Sequence, residues 1–315
     1  MRKITLDTIK ECNFIETNGE DVLLFAKKLW LFRADGSYVC QVESARWPTK
    51  VVFLPDRRAF IDGGADECYH CISLTDGKIL WSIPQKGRRN QCMKRLALSK
   101  DHAFVYDYFE RYKDDELYSF VDRISLTDHT HSVFQIQPGL RVVKDIFVDS
   151  EDRFCTLQFH MDLDGKLDQY GNPTEQVVGI QAFAFHGSTV ESSWVSQWKE
   201  SRASSKWPMY CNGEKILREN LWVDDLKTGL RRPLVPEPNQ LPRLSRAFYK
   251  EEKGLLVTYD LSSGLNAVID CVNGRIAAVY NQDGTAYNGN IVGNEFWLPY
   301  PDRVVRLPFP YGVSD

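Results

Sequence analysis

The amino-acid sequence predicts an all-β fold, a seven-bladed β-propeller of four-stranded antiparallel blades. It reads as a single domain over residues 1–315, with the last blade closed by the N-terminal strand. Three observations carry this reading. The pentapeptide ISLTD occurs twice, at residues 72–76 and 124–128. Two series of turn signals recur at blade-like spacing. The final repeat is one strand short, and the N terminus holds a spare β-rich segment.

The pentapeptide sits each time ahead of a turn and a further β-rich run. A search for the same arrangement along the chain finds turns at Asp35-Gly36, Asp76-Gly77, Asp128-His129, His186-Gly187, Thr228-Gly229 and Asn273-Gly274. Three of these are Asp-Gly or Asn-Gly pairs, which join strands tightly because both central residues take positive φ. Their second residues are 41, 52, 58, 42 and 45 positions apart, near the roughly 40–50 residues of a four-stranded propeller blade.

A second series of turns precedes these: Asn18-Gly19, Asp56, Asp101, Glu151-Asp152, Asn212-Gly213, Lys253-Gly254 and, with no later partner, Gly293-Asn294. Each blade then has strands A to D, with the early turn joining A to B and the later one C to D. The last unit supplies only YNGNIVG, NEFWLPY and DRVVRLP, so residues 2–10 (RKITLDTIK) are expected to complete it. Such closure leaves no strand edge open between the termini. Alternation of Cys155, Leu157 and Phe159 with Thr156, Gln158 and His160 fits a strand, and the apolar runs at 255–257 and 296–298 fit strands sandwiched between blades.

The segment HCISLTDGKILW resembles the repeat of the PQQ-like (quinoprotein-dehydrogenase-like) β-propeller families. In that repeat an apolar strand, an Asp-Gly or Thr-Gly turn and a tryptophan four residues later dock one blade on the next. Gly77 and Trp81 have that spacing, and residues 221–229 (LWVDDLKTG) echo it. The position of Trp81 is held by Cys40, Val133, Glu191, Pro233 and Ala278 in the other units. The resemblance implies a fold and no cofactor, because no residues match quinone ligands.

Composition bounds the function. With 43% hydrophobic and 26% charged residues the chain is ordinary globular material, and its net charge of −4 gives no general basic field for nucleic acid. No apolar run approaches the roughly 18 residues of a membrane span, and charges at Asp7, Lys10 and Glu11 break any secretory core. A cytoplasmic location is the expectation, with the eight cysteines as reduced, mostly buried thiols.

The long connections are read at residues 44–50, 84–95, 108–117, 161–175 and 196–207, all on the face of the B-to-C and D-to-A connections. Binding residues on propellers favour such loops. Trp47 and Trp207 lie in Arg-Trp-Pro and Lys-Trp-Pro sequences, with Trp198 and Arg202 nearby; Arg88 and Arg89 belong to a basic patch with Lys86, Lys94 and Arg95. Aromatic and arginine side chains are good contact anchors. These six, Trp47, Arg88, Arg89, Trp198, Arg202 and Trp207, are therefore the expected partner-binding residues.

The remaining motifs read as structural. Residues 162–168 (DLDGKLD) contain a calcium-like D-x-D-G, but the full loop pattern fails, so the segment reads as a hairpin tip. Cys68-Tyr69-His70-Cys71 lacks a second pair and lies on a strand, which gives no metal or redox site. His129 and His131 read as a surface turn. The expectation is a non-catalytic propeller that binds a protein or peptide; the alternative is a hydrolase or lyase with its site at the axial opening.

Overall fold

The computed structural model describes residues 2–4, 12–85, 95–201, 208–219, 221–234, 246–250, 254–260, 264–280 and 287–309. Among them are 28 β-strands in seven four-stranded antiparallel blades, the fold class of a seven-bladed β-propeller, and no helix long and apolar enough to cross a membrane. The chain divides into two compact units, one of residues 1–85 with 233–315 and one of residues 86–232.

In the first unit, β1 (Arg2–Ile4) is set aside for the last blade. Blade 1 holds β2 (Phe14–Thr17), β3 (Asp21–Phe25), β4 (Lys28–Arg33) and β5 (Tyr38–Arg46). Blade 2 holds β6 (Lys50–Leu54), β7 (Arg58–Asp62), β8 (Cys68–Ser73) and β9 (Ile79–Pro84). The second unit supplies blade 3, with β10 (Ala97–Leu98), β11 (Phe104–Lys113), β12 (Glu116–Ser125) and β13 (His131–Ile136). Blade 4 follows with β14 (Val142–Val148), β15 (Phe154–Met161), β16 (Glu175–His186) and β17 (Thr189–Ser201). Blade 5 has β18 (Pro208–Cys211), β19 (Lys215–Arg218), β20 (Trp222–Asp225) and β21 (Arg231–Pro233). Back in the first unit, blade 6 has β22 (Arg246–Lys250), β23 (Leu255–Asp260), β24 (Leu265–Asp270) and β25 (Arg275–Tyr280). Blade 7 has β26 (Asn290–Val292), β27 (Glu295–Tyr300) and β28 (Arg303–Pro308), and β1 pairs antiparallel with β28 as its fourth strand.

Within the described residues both turn series fall where the sequence places them, between A and B strands and between C and D strands; Lys253 lies outside those residues. The repeated pentapeptide has a shared backbone cause. In blade 2 the N–H of Leu74, one residue past β8, donates to the carbonyl of Arg57, one residue before β7 (2.8 Å); in blade 3 Leu126 donates to Ala103 in the same way (2.8 Å). The bond recurs as Ala34 to Glu20, Leu226 to Glu214, Cys271 to Gly254 and Phe309 to Asn294. It extends the B–C ladder by one step and ties the two turns of a blade together, so buried backbone groups at the blade end stay paired. The serine and aspartate cap the turn: Ser73 Oγ and Asp76 Oδ1 accept from the N–H groups of Thr75 and Lys78, and Ser125 Oγ and Asp128 Oδ1 from those of Thr127 and Thr130. Gly77 has φ 71° and its equivalent His129 has φ 58°, so histidine occupies a left-handed position better suited to glycine.

Gly77 also explains how blade 2 meets blade 1. A Cβ at this position would collide with Cys40 Sγ, and Cys40 stands where the repeat has its docking residue. Trp81 itself packs on Phe60 of its own blade, ring centroids 5.7 Å apart.

Three loop expectations are corrected. Residues 108–117 are strand on both sides of a tight turn at Asp114-Asp115, because β11 and β12 stay paired out to Lys113 and Glu116. Residues 196–201 belong to β17, and residues 44–46 to β5. The long connection at 162–174 stands, as a hairpin tip closed by a bridge between Leu167 and Pro173.

Candidate functional site

The candidate site is a hollow between blades 4 and 5, and β17 organises it. This strand of 13 residues is the edge of its sheet and pairs with β16 along its length. Alternation on β16 sends Val178, Ile180 and Ala182 into the core shared with blade 5, and Phe183 into the core shared with blade 3. On β17 the pairs Gln181–Trp194 and Ile180–Ser196 leave Val195 as an extra, bulged residue. A bulge of one residue reverses which side chains face which side. Trp194 therefore lies over Gly139 and Gly179, where a Cβ on Gly179 would come within 2.6 Å of the ring. Trp198, although of the same parity, turns toward blade 5 and packs on the core that includes Cys211, Ile216 and Leu226.

The next inward-facing residue, Glu200, anchors a network of charges. Trp198 Nε1 donates to Glu200 Oε2 (3.1 Å) and Gln176 Nε2 to Oε1 (2.8 Å). From blade 5, Arg218 donates to both oxygens of Glu200 (2.8 and 3.0 Å) and to Asp224 Oδ2 (2.7 Å). Arg231 bridges the same two carboxylates, through Nη2 to Glu200 Oε2 (2.6 Å) and Nε to Asp224 Oδ1 (2.5 Å). Arg218 is fully buried. Two guanidiniums against two carboxylates balance the buried charge, which makes such a cluster tolerable away from water. Burial pushes Glu200 up, but the Arg218 charge and the hydrogen bonds from Arg231, Gln176 and Arg218 outweigh it and hold the carboxyl below its usual range.

The hollow above this network has a volume of about 780 Å³. Phe147, Ile180, Val195, Trp198 and Leu226 give it apolar walls, and turns at 149–153, 213–214 and 225–229 form its mouth; these are A-to-B and C-to-D turns, not the long B-to-C and D-to-A connections on which binding is expected from the sequence. Asp149 is held by Arg153 through Nε and Nη2 (2.9 and 2.7 Å). Asp225 caps its turn, accepting from the N–H groups of Lys227 and Thr228, which keeps it below the usual carboxylate range. Ser196 lines the hollow, and its Oγ is buried with no hydrogen-bond partner among the described residues.

Of the expected partner-binding residues, Trp198 belongs to this site, on a strand in place of a loop. Trp47 lies in the first unit, after β5, with φ 52° and 39% exposure, and its N–H donates to Lys27 (3.0 Å). Arg88, Arg89, Arg202 and Trp207 lie outside the described residues, as do Lys86 and Lys94. Arg95 of the same basic patch is committed to Asp145 (2.8 and 2.7 Å) and the Cys211 carbonyl (2.7 Å).

The other motifs take structural places. His131 is a buried partner of Asp122 (2.8 Å), which corrects the surface-turn expectation. Cys68 and Cys71 lie on β8 as free thiols, and burial raises Cys71 to about 11. Asp162 pairs with Lys199, which also reaches Glu175 (3.0 Å), while Asp168 Oδ1 accepts from the N–H groups of Tyr170 and Asn172 (2.8 and 2.9 Å).

Comparison with solved structures gives full-length matches. A streptogramin B lyase aligns with TM-score 0.57 at 8% identity, covering 96% of this chain and 95% of the lyase. A catalytically inactive virginiamycin B lyase from Staphylococcus aureus, solved with quinupristin, aligns with TM-score 0.59 at 11% identity and covers 98% of each chain. Hydrazine synthase of Kuenenia stuttgartiensis aligns with TM-score 0.60 at 8% identity, covering 98% of this chain and 97% of that one. The likeness is one of fold. No family model matches the chain, and no curated protein matches its sequence.

Proposed function

We propose that this chain is a non-catalytic propeller that binds a protein or peptide partner in the hollow between blades 4 and 5. One observation carries the reading: the ionisable groups beneath the hollow are consumed in reciprocal ion pairs, while an aromatic-lined space opens beside a strand edge. General acid–base catalysis asks for a group poised near the working pH. Glu200 is held far from that condition. Aromatic walls and a charged mouth are instead what a side-chain anchor from a partner needs. We also infer that the repeat is of the PQQ-like type, on the Gly77 turn and its contact with Cys40.

The test is retention of a partner that co-purifies from the native host. Trp198→Ala and the milder Val195→Arg should both lose it, the latter because Val195 is a half-exposed wall residue whose change spares the core. Asp35→Ala and Asn273→Ala, in turns of blades 1 and 6, should keep it. Retention by both wall variants rules the reading out.

A further inference from the structure

We propose that the partner segment is an extended cationic peptide, which adds to β17, the edge strand of its sheet among the described residues, and seats a lysine or arginine side chain in the hollow. This deepens the binding reading above and rests on it. The first support is the strand. An edge strand presents unpaired N–H and C=O groups at every second residue, a template for one more strand. Beyond the bulge at Val195, β17 runs regularly through Ser201, and Ser196, Trp198, Glu200 and Ser201 all border the hollow. A peptide paired there sends alternate side chains toward the same side as Ser196 and Trp198.

The second support is charge. The buried cluster of Arg218, Arg231, Glu200 and Asp224 is neutral, and Asp149 is balanced by Arg153. Arg153 also pairs with Glu151 (3.1 Å), so outside the buried cluster the lining carries Asp149, Glu151, Glu214 and Asp225 against Arg153 and Lys227. A cation is attracted to this mouth and an acidic side chain repelled. The Trp198 N–H is committed to Glu200, so the indole offers its ring, a surface that attracts guanidinium and ammonium groups.

The experiment uses the full chain, labelled with a fluorophore, on an array of random seven-residue peptides. Bound peptides should be enriched in lysine or arginine at one position with apolar or β-branched neighbours two residues away. The strongest peptide is then measured in solution. The paired reversal Glu151→Lys and Glu214→Lys should weaken it by about tenfold or more, and N-methylation of alternate peptide amides should weaken it comparably. Absence of binding above background, enrichment in acidic residues, or affinity within about twofold after the charge reversal would overturn the proposal. Val195→Arg separates the two levels. If it removes binding while the charge reversal does not, the cationic assignment fails and the hollow stands; if neither matters, the hollow is not the binding site and both fall.

Discussion

Lys3 of β1 and Val305 of β28 are cross-strand partners, so the blade that ends the chain is completed by its beginning. The register holds three such pairs, Arg2–Arg306, Lys3–Val305 and Ile4–Val304. At about 1 kcal/mol for each hydrogen-bonded step, removing residues 1–4 should cost about 3 kcal/mol and lower Tm by about 5 °C. It also opens an edge on β28. Thermal melts of the truncated and full chains check this; coincident melts would mean that β1 contributes nothing to closure.

The contact of Gly77 with Cys40 gives a second test. Gly77→Ala should destabilise by about 2–3 kcal/mol, from the collision with Sγ and the positive φ together. The next nearest atoms, Cys40 Cβ and Val42 Cγ2, lie at 3.6 and 3.7 Å, which is ordinary contact. In a Cys40→Ala background the same glycine change should therefore cost only about 1 kcal/mol. Denaturant unfolding of the four proteins measures the coupling; strictly additive effects would show that the sulfur is not what excludes a side chain.

Arg218→Met should be strongly destabilising, by about 3–5 kcal/mol, because it strands Glu200 and Asp224 beside a single remaining guanidinium. The same cluster sets a pH dependence. The folded-state value of Glu200 is depressed below its ordinary 4.5, so its contribution is present above that pH and is lost as pH falls through the lower folded value. Glu200→Gln should lower stability at neutral pH and make the acid limb below about pH 4.5 shallower. Stability measured from pH 3 to 7 decides the point, and an unchanged acid limb would contradict it.

Asp162 is engaged by Lys199 and Asp168 by the turn around Asn172. Neither added Ca²⁺ nor EDTA should move the melting temperature, as linkage requires when nothing binds. A calcium-dependent rise that Asp164→Ala abolishes would reverse this assignment.

The turns were the most legible part of the chain, because glycine, aspartate and asparagine there meet a backbone requirement that no packing partner changes. Strand length was less so. Residues 110–116 (ERYKDDE) and 196–201 (SQWKES) are polar and lack an apolar period, yet β11–β12 and β16–β17 continue through them on cross-strand pairing. Trp198 could be picked out as an anchor, but Glu200, Arg218, Asp224 and Arg231 could not be grouped. They come from four strands on two blades, and only the fold brings them together. A weak signal was present in Arg218, which ends the apolar run of KILR. The buried place of His131 is not legible locally, because its partner Asp122 sits on the neighbouring strand.

The most direct test of the binding account is site-specific photo-crosslinking in extract of the native host. A benzophenone side chain at position 195, in the wall of the hollow, is compared with one at position 80, exposed on β9 of blade 2. The account predicts crosslinks from position 195 to one partner segment carrying lysine or arginine, lost when Glu151 and Glu214 are reversed to lysine, and none from position 80. Crosslinks at position 80 alone, or at neither position, would contradict it.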